Sequence, residues 1–169
     1  MTQSEFVKMI MPFKDKVYRL AKRLLVSNEE AEDATQEILL KLWRNSDKIS
    51  EYKNVEAFSM TMTKNFCLDR LKSKQAQNLK IVHSNYQDEK VGLQKQIEVS
   101  DSLSWVERIM QDLPEQQKII VQLRDIEQYD FPEISKMLDM KETAIRVALS
   151  RARKTIREKL TSTHNYGIK

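Results

Sequence analysis

The chain has 169 residues, of which 40% are hydrophobic and 32% are charged, and its formal net charge is +4 at pH 7. This length allows one ordinary domain or two small ones, each with a buried core. The sequence contains only 2 Gly and 3 Pro residues, whereas an average protein has about 7% Gly and 5% Pro. Because the turns and bulges of β-sheet folds depend on Gly, this composition disfavours sandwiches, barrels and Rossmann-type folds and predicts an all-α protein.

Several functional classes lack the residues that they need. Cys67 is the single cysteine, which excludes an intramolecular disulfide and gives no cysteine-based metal cluster. The two histidines, His83 and His164, are far apart in the sequence, and we expect no catalytic site, metal, cofactor or small-molecule substrate. The N-terminal segment lacks the pattern of a signal peptide, and no segment approaches the roughly 18 apolar residues that a membrane span requires. We therefore expect a cytoplasmic protein without membrane insertion.

A first helical block is predicted over about residues 3–72. It opens with a long amphipathic helix that Pro12 is expected to interrupt. Ser27 and Glu30 have the S-x-x-E spacing of a capping box, which predicts the start of a second helix. The polar segment 45–54 is predicted to be a loop that leads into a third helix. The apolar residues of the first helix are Phe6, Ile10, Val17, Leu20 and Leu24.

The middle of the chain has a different character. From residue 75 to about residue 104, Gln, Ser, Asn and charged residues alternate with apolar residues that lose a regular period. This composition predicts a flexible linker with some helical character at its start. The alternative is that Ile81 and Val82 pack on a neighbouring domain. The predicted organisation is therefore two small helical domains, residues 1–74 and 105–169, joined by the linker 75–104.

The second block has the order of a helix-turn-helix. Asp130 and Glu133 have the spacing of a capping box and predict the start of a short helix. A three-residue break at 139–141 separates it from a long basic helix over 142–160. A short helix, a tight turn and a longer basic helix are typical of a helix-turn-helix, here over about residues 132–151. The apolar stripe predicted for the preceding helix consists of Ile119, Ile120, Leu123 and Ile126.

Charged residues are unevenly distributed along the chain. Residues 28–40 contain five acidic residues and no basic ones. Residues 64–80 contain five basic residues and one acidic residue, and residues 146–160 contain six basic residues and one acidic residue. One acidic surface and two basic surfaces, well separated in sequence, suggest partners of different kinds.

The last helix is predicted to have a buried face and a DNA-binding face. At about 100° per residue, one face collects Ile145, Ala148, Leu149, Ala152 and Ile156. Side chains on the first turns of the opposite face can reach base edges in a major groove, while later Lys and Arg residues contact phosphates. The alternative is a basic helix surface that is simply solvated, which the capped helix and tight turn before it disfavour. The predicted contact residues are Thr143, Arg146, Val147, Ser150, Arg151, Lys154 and Arg157.

Three segments resemble the extracytoplasmic-function (ECF) sigma factors of bacteria. EAEDATQEILLKLW (30–43) and NVEAFSMTMTKNFCLDRLKSK (54–74) resemble the N-terminal domain of that family, and residues 113–160 resemble its C-terminal domain. The resemblance implies a subunit that binds core RNA polymerase and directs promoter-specific initiation. The polymerase supplies the chemistry, so the chain is not expected to be an enzyme. Many relatives are controlled by an anti-sigma factor, which is therefore an expected partner.

The resemblance also implies roles for residues of the first block. In the family, the acidic helix binds the coiled-coil clamp of the β′ subunit, and the β subunit is a further contact. The next helix and the loop before it read and melt the single-stranded −10 element, whereas the helix-turn-helix reads the −35 duplex. The implied polymerase-binding residues are Glu30, Asp33, Gln36, Glu37, Leu39, Leu40 and Trp43. The implied −10 residues are Lys48, Tyr52, Lys53, Asn54, Lys64, Asn65, Arg70, Lys72 and Lys74.

The sequence departs from the family pattern at a few positions. Gln128 and Asp139 stand where family members usually have Gly, and Asp tolerates a glycine-like backbone better than most residues. Phe58 stands where many relatives have Trp, and Ala144 replaces the usual Thr. The −35 base preference therefore cannot be copied from a relative.

Three other classes of protein fit the sequence less well. An autonomous helix-turn-helix regulator accounts for residues 113–160 but leaves the acidic helix and residues 54–74 unexplained. An enzyme such as a helical nuclease or deaminase would need clustered carboxylates or metal ligands, which the sequence does not provide. A purely structural helical protein is the last alternative.

Overall fold

The computed structural model describes residues 1–81 and 102–167, and the regular elements in these ranges are helical. The N-terminal half contains α1 (Gln3–Ile10), α2 (Lys14–Leu25), α3 (Asn28–Arg44), α4 (Ser46–Ile49) and α5 (Val55–Ile81). The C-terminal half contains α6 (Ser102–Asp112), α7 (Glu115–Val121), a π-helical turn (Gln122–Ile126), α8 (Phe131–Leu138) and α9 (Glu142–Gly167). The all-α prediction and the division into two helical halves are confirmed.

The first predicted helix is interrupted at Pro12, as expected. α1 ends at Ile10 and α2 begins at Lys14, since Pro12 has no N–H to donate to the preceding turn. All five apolar residues predicted for this segment are buried. α2 packs against both α3 and α5, so that it lies at the centre of the N-terminal half.

The capping box predicted at the start of α3 forms only in part. Ser27 Oγ accepts a hydrogen bond from the Glu30 N–H at 3.4 Å. The Glu30 carboxylate forms an ion pair with Lys74 of α5, and the Ser27 N–H donates to the Leu25 carbonyl at 2.8 Å. The reciprocal bond is therefore replaced by a tertiary contact that sequence spacing cannot reveal.

The prediction of a loop over residues 45–54 is partly wrong. Residues Ser46–Ile49 form α4, and the Ile49 side chain is 1% exposed. Burial of this one apolar residue ties a polar segment to the core and stabilises a helical turn. The third helix begins as predicted, because Asn54 Oδ1 accepts a hydrogen bond from the Ala57 N–H at 2.9 Å.

The predicted linker is only partly within the described residues. α5 continues to Ile81 and α6 begins at Ser102, so the helices extend into both ends of the predicted linker 75–104. Residues 82–101 lie outside the described residues, and so does the alternative packing of Val82. The domain boundaries at residues 74 and 105 stay a prediction.

The prediction of an apolar stripe before the helix-turn-helix is correct except at one position. Ile119, Ile120 and Leu123 are buried, whereas Ile126 is 41% exposed. The Glu127 N–H donates to the Gln122 carbonyl at 3.0 Å, which is an i→i+5 hydrogen bond. Such a π-turn advances the chain more slowly around the helix axis than an α-turn does. Ile126 therefore rotates away from the stripe that a regular α-helix would have continued.

The two halves pack on each other through polar side chains of α2. Arg19 Nε donates to both carboxylate oxygens of Glu127, at 2.8 and 3.0 Å. Arg23 donates to the buried Gln122 side chain at 2.9 Å and forms an ion pair of 2.6 Å with Glu107. The hydrogen bonds to the Glu127 carboxylate raise the pKa of Arg19. The sequence analysis did not predict this interface, because its members are separated by more than eighty residues.

A second contact joins α5 to α8. The Thr61 hydroxyl donates to the Met137 carbonyl at 3.1 Å. Nearby, the Lys16 ammonium lies 4.9 Å from the ring centroid of Tyr129 and pairs with Glu56. The first helix of the predicted helix-turn-helix is thus held against the helix predicted to contact the −10 element.

Candidate functional site

The helix-turn-helix is built by local backbone signals. Asp130 accepts a hydrogen bond from the Glu133 N–H at 2.8 Å, and the Glu133 carboxylate accepts one from the Asp130 N–H at 3.3 Å. This capping box starts α8 as predicted. Asp139 ends α8 in the left-handed conformation, with φ 52° and ψ 51°. Gln128 also has a positive φ, of 64°. Both positions where family members usually have Gly therefore adopt the backbone that Gly favours.

The exposed face of α9 carries the predicted DNA-contacting side chains. Ile145, Ala148, Leu149 and Ala152 are buried, and Ile156 is partly buried. The opposite face is exposed at each predicted contact position, including Val147, whose exposed fraction is 48%. The seven exposed residues are Thr143, Arg146, Val147, Ser150, Arg151, Lys154 and Arg157. The helix thus presents the layout that a major-groove contact requires.

Phe131, the first residue of α8, contacts two arginines. The Cζ atom of Arg124 lies 4.6 Å from the ring centroid, and that of Arg146 lies 4.7 Å from it. The sequence analysis did not identify Phe131 as a functional residue. The sequence does show an aromatic residue at the start of the first motif helix. It does not show that Arg124 and Arg146, from two other segments, lie against the ring.

A bidentate ion pair anchors α9 beside this cluster. Arg153 donates to Asp125 at 3.1 Å and 2.5 Å, and these hydrogen bonds raise the pKa of Arg153. An open cavity of about 640 Å³ lies between the π-helical turn, α8 and α9. Its lining includes Phe131, Arg146 and Arg157 together with the Asp125–Arg153 pair. The cavity is therefore a cationic recess on the predicted −35 face.

The predicted polymerase-binding surface lies along α3. Asp33 and Gln36 are exposed, and Glu30, Glu37 and Leu39 are partly buried. Leu40 and Trp43 have exposed fractions of 40% and 38%, and the Trp43 ring packs edge-on against Phe6 at a centroid distance of 5.1 Å. Carboxylates and apolar side chains therefore share one helix, as an interface with a polar rim and an apolar centre requires.

Basic residues of α5 pair with this acidic surface. Arg70 forms an ion pair of 2.7 Å with Asp33, and Lys74 pairs with Glu30. Arg70 also lies 5.4 Å from the ring centroid of Phe66. Two residues predicted to contact the −10 element are therefore bound to two residues predicted to contact the polymerase. The acidic and basic surfaces, separate in sequence, adjoin in space.

The other predicted −10 residues lie before the start of α5 and along its length. Lys48, Tyr52, Lys53 and Asn54 are exposed, and the Tyr52 ring lies 4.9 Å from the Phe58 ring. Farther along the helix, Asn65 and Lys72 are exposed and Lys64 is partly buried. A helix rises about 1.5 Å per residue, so the Asn54 end lies roughly 24 Å from Arg70 along the axis. The nine predicted residues therefore form an extended track and not a single pocket.

The described residues provide no metal-binding cluster, membrane-spanning helix or reactive cysteine. No group of three or more His, Cys, Asp and Glu residues in residues 1–81 and 102–167 could hold a metal ion. In the same ranges, no helix is long and apolar enough to cross a membrane. Cys67 is buried, and desolvation raises its pKa to about 12. This cysteine is therefore a core residue, since a reactive thiol needs exposure and a lowered pKa.

Both halves of the chain match known families. Residues 9–77 match the family described as Sigma-70 region 2. Residues 103–156 match the family described as Sigma-70, region 4. The two matches occur in the order of the two helical halves and together span most of the chain.

The curated relatives of the chain are described as ECF RNA polymerase sigma factors. The chain is similar to the ECF RNA polymerase sigma factor SigW of Bacillus subtilis, with 23% identity over 175 residues that cover 94% of this chain and 90% of SigW. A shorter match to the ECF RNA polymerase sigma factor SigK of Mycobacterium tuberculosis is 34% identical over 77 residues, covering 45% of this chain and 41% of SigK.

Two solved structures share the fold. The sigma factor RpoE of Bartonella quintana, in a complex with the anti-sigma factor NepR, has a TM-score of 0.69 and 17% identity, and the match covers 93% of this chain and 97% of RpoE. CnrH, in a complex with the cytosolic domain of CnrY, has a TM-score of 0.71 and 16% identity, and the match covers 95% of this chain and 90% of CnrH. At sequence identities of 16–17%, these two similarities show a shared fold alone.

Proposed function

We propose that this chain, which belongs to the extracytoplasmic-function (ECF) sigma factors of the sigma-70 family, binds core RNA polymerase and directs promoter-specific transcription initiation. Sigma factors are not a class of enzymes, and the polymerase supplies the chemistry. The chain supplies contacts to the polymerase and to the promoter.

One observation carries this proposal. The same chain combines an exposed acidic and apolar helix in one half with a capped helix-turn-helix and an exposed basic helix in the other. An autonomous regulator needs only the second of these. An initiation factor needs both, because it connects an enzyme to DNA.

The proposed polymerase contact is the acidic surface of α3. Asp33, Gln36 and Glu37 provide charge and hydrogen bonding, and Leu40 and Trp43 provide apolar area. An acidic rim accelerates association with a basic partner, and buried apolar anchors slow its dissociation. The proposed partner of this surface is the β′ clamp coiled coil, and the β subunit is proposed as a further contact of the chain.

The proposed DNA contacts divide between the two halves. The exposed start of α5 and the segment before it combine the Tyr52 and Phe58 rings with Lys48 and Lys53. Aromatic rings on which bases stack, together with cations for phosphates, suit single-stranded −10 DNA. The exposed face of α9 suits the −35 duplex. We propose that Arg146 and Val147 reach base edges and that Lys154 and Arg157 contact phosphates.

Regulation by an anti-sigma factor is part of the proposal. RpoE and CnrH, which share this fold, were both solved with a bound partner protein. We also propose a cytoplasmic location, where the polymerase is found, and a division into domains 1–74 and 105–169.

The experiment that tests the function is transcription with purified core polymerase from the same organism. The full chain is mixed with core enzyme, passed through gel filtration and assayed for run-off transcription on genomic fragments. A sigma factor co-elutes with core and produces discrete promoter-dependent transcripts. An autonomous regulator binds duplex DNA without core, does not co-elute, and adds no new start site.

A further inference from the structure

We infer that Phe131 is a positioning residue for −35 recognition: its ring holds the guanidinium of Arg146 in the orientation that contacts a base. This inference rests on the proposed function, in which α9 contacts the −35 duplex. The distance from Arg146 Cζ to the ring centroid is 4.7 Å, within the range of a cation–π contact. Phe131 belongs to α8, so the first helix of the motif would determine how the second helix reads DNA.

The ring itself is held in place from two sides. Phe131 directly follows Asp130, whose capping box with Glu133 fixes the start of α8. The ring is partly buried and packs against the hydrophobic core. In addition, Arg124 Cζ lies 4.6 Å from the ring centroid, and Arg124 Nη1 donates to the Tyr129 carbonyl at 3.0 Å. A ring restrained in this way can orient a second guanidinium at little entropic cost.

A guanidinium placed over an aromatic ring can keep its hydrogen-bonding edge available. Stacking uses the flat face of the group, whereas its N–H donors point outward in the plane. Within the described ranges, Arg146 is exposed and forms no hydrogen bond or ion pair. Bidentate contact with guanine O6 and N7 uses this free edge. The contact with Phe131 would therefore prepare Arg146 for DNA without competing with it.

Neighbouring basic residues on α9 are held differently. Arg153 donates from Nε and Nη2 to both oxygens of Asp125, so this bidentate edge of its guanidinium is already used. Lys154 lies 4.0 Å from Glu158 on the adjacent turn, and both side chains are largely exposed. Of these three cations, only Arg146 combines a fixed face with a free edge. Because of this difference, we assign base recognition to Arg146 and phosphate contact to Lys154.

The test compares Phe131→Leu with Phe131→Tyr in the full chain bound to core polymerase. Leu keeps apolar bulk and removes the ring, whereas Tyr keeps the ring. Transcription from a library of randomised −35 elements measures base preference, and the salt dependence of promoter binding measures phosphate contacts. Melting temperatures establish that each variant is folded.

We expect Phe131→Leu to weaken binding to the preferred −35 element about two- to fivefold, the usual effect of one exposed cation–π contact. It should flatten preference at the same base positions as Arg146→Ala and leave the salt slope unchanged. Phe131→Tyr should behave like the original chain. In an Arg146→Ala background, Phe131→Leu should have no further effect on base preference.

Three results would overturn the inference. Phe131→Leu could lower binding equally with and without Arg146, which is the signature of a structural role alone. Phe131→Tyr could lose as much preference as Phe131→Leu. Arg146→Ala could leave base preference intact in an actively transcribing holoenzyme, which would reject this inference while the proposed function stands. Failure of the original chain to bind core or start transcription would reject the proposed function itself.

Discussion

Arg70 of α5 forms a 2.7 Å ion pair with Asp33 of α3, and the same two helices are joined by Lys74 and Glu30. A polymerase clamp that binds the α3 carboxylates would compete with Arg70 and Lys74 for them. Release of these two side chains would make their charges available to DNA phosphates. We therefore propose two roles for the acidic surface: it docks on the polymerase, and in the free protein it pairs with cations that we assign to the −10 strand.

This relationship predicts that Asp33→Asn strengthens binding of single-stranded −10 DNA. Loss of the carboxylate frees Arg70 and removes one negative charge next to the DNA track, so we expect affinity to rise about two- to fivefold at low salt. Fluorescence titration of the free chain, without core polymerase, with a labelled non-template strand measures the change. The matched control is Glu32→Gln, an exposed residue of the same helix. Equal gains in both variants would show a general charge effect and would contradict a specific role of the Arg70 pair.

Reversal of the α3 carboxylates is predicted to weaken polymerase binding. Asp33→Arg with Glu37→Arg should slow association with core and reduce affinity about tenfold at low salt, and the association should become less sensitive to salt. The helix content should be unchanged. Glu29→Arg with Glu32→Arg changes the net charge equally on the same helix and should have a much smaller effect. Equal losses in both double variants would mean that net charge, and not this surface, controls association.

The interface between the two halves is predicted to depend on Arg19. The Glu127 side chain is 1% exposed, and Arg19 provides two of its hydrogen bonds. Arg19→Met would leave a buried carboxylate without its cation, and we expect the free energy of unfolding to fall by about 1–3 kcal/mol. Urea unfolding measures the loss.

Two further variants make this prediction specific. Arg44→Met, on an exposed side chain of α3, should change stability by less than about 0.5 kcal/mol. Adding Glu127→Gln to Arg19→Met should recover part of the loss, because the buried charge disappears with its partner. Strict additivity of the two substitutions would show that the two side chains do not interact.

A stabilising substitution is predicted at Gln128. Its φ of 64° is costly for a residue with a Cβ atom and free for Gly. Gln128→Gly should therefore raise the free energy of unfolding by about 0.5–1 kcal/mol and raise the melting temperature by about 2–4 °C. In contrast, Lys136→Gly in the interior of α8 should destabilise the protein by about 1 kcal/mol. A loss of stability in Gln128→Gly would show that the Gln side chain contributes more than the backbone strain costs.

Cys67 is predicted to be inert in the folded protein. Burial raises its pKa to about 12, so the thiolate that reacts with disulfide reagents is scarce at pH 8. Compared with the unfolded chain, we expect the reaction with a chromogenic disulfide to be slower by about a thousandfold or more. The reaction in denaturant is the control for reagent activity. Rapid labelling without denaturant would mean that α5 opens locally.

Much of the local structure follows from sequence alone. Pro12 interrupts the first helix because it lacks an N–H, and Asp130 with Glu133 starts α8 because their spacing permits reciprocal hydrogen bonds. The periodicity of α9 separates Ile145 and Leu149 from Arg146. These features depend on neighbours within one or two helical turns, and a sequence contains that information directly.

Tertiary structure alone decided the partners of the charged side chains. Nothing in the sequence links Arg19 to Glu127, Arg70 to Asp33, or Phe131 to Arg146. The Glu30 carboxylate pairs with Lys74 and does not accept the predicted hydrogen bond from the Ser27 N–H, because a nearby cation is a stronger partner than a neutral N–H. Apart from α4 and the exposed Ile126, the helices and their buried faces follow from the sequence, since burial follows helical period. Which charges meet depends on how the helices pack, and that is set by the whole core.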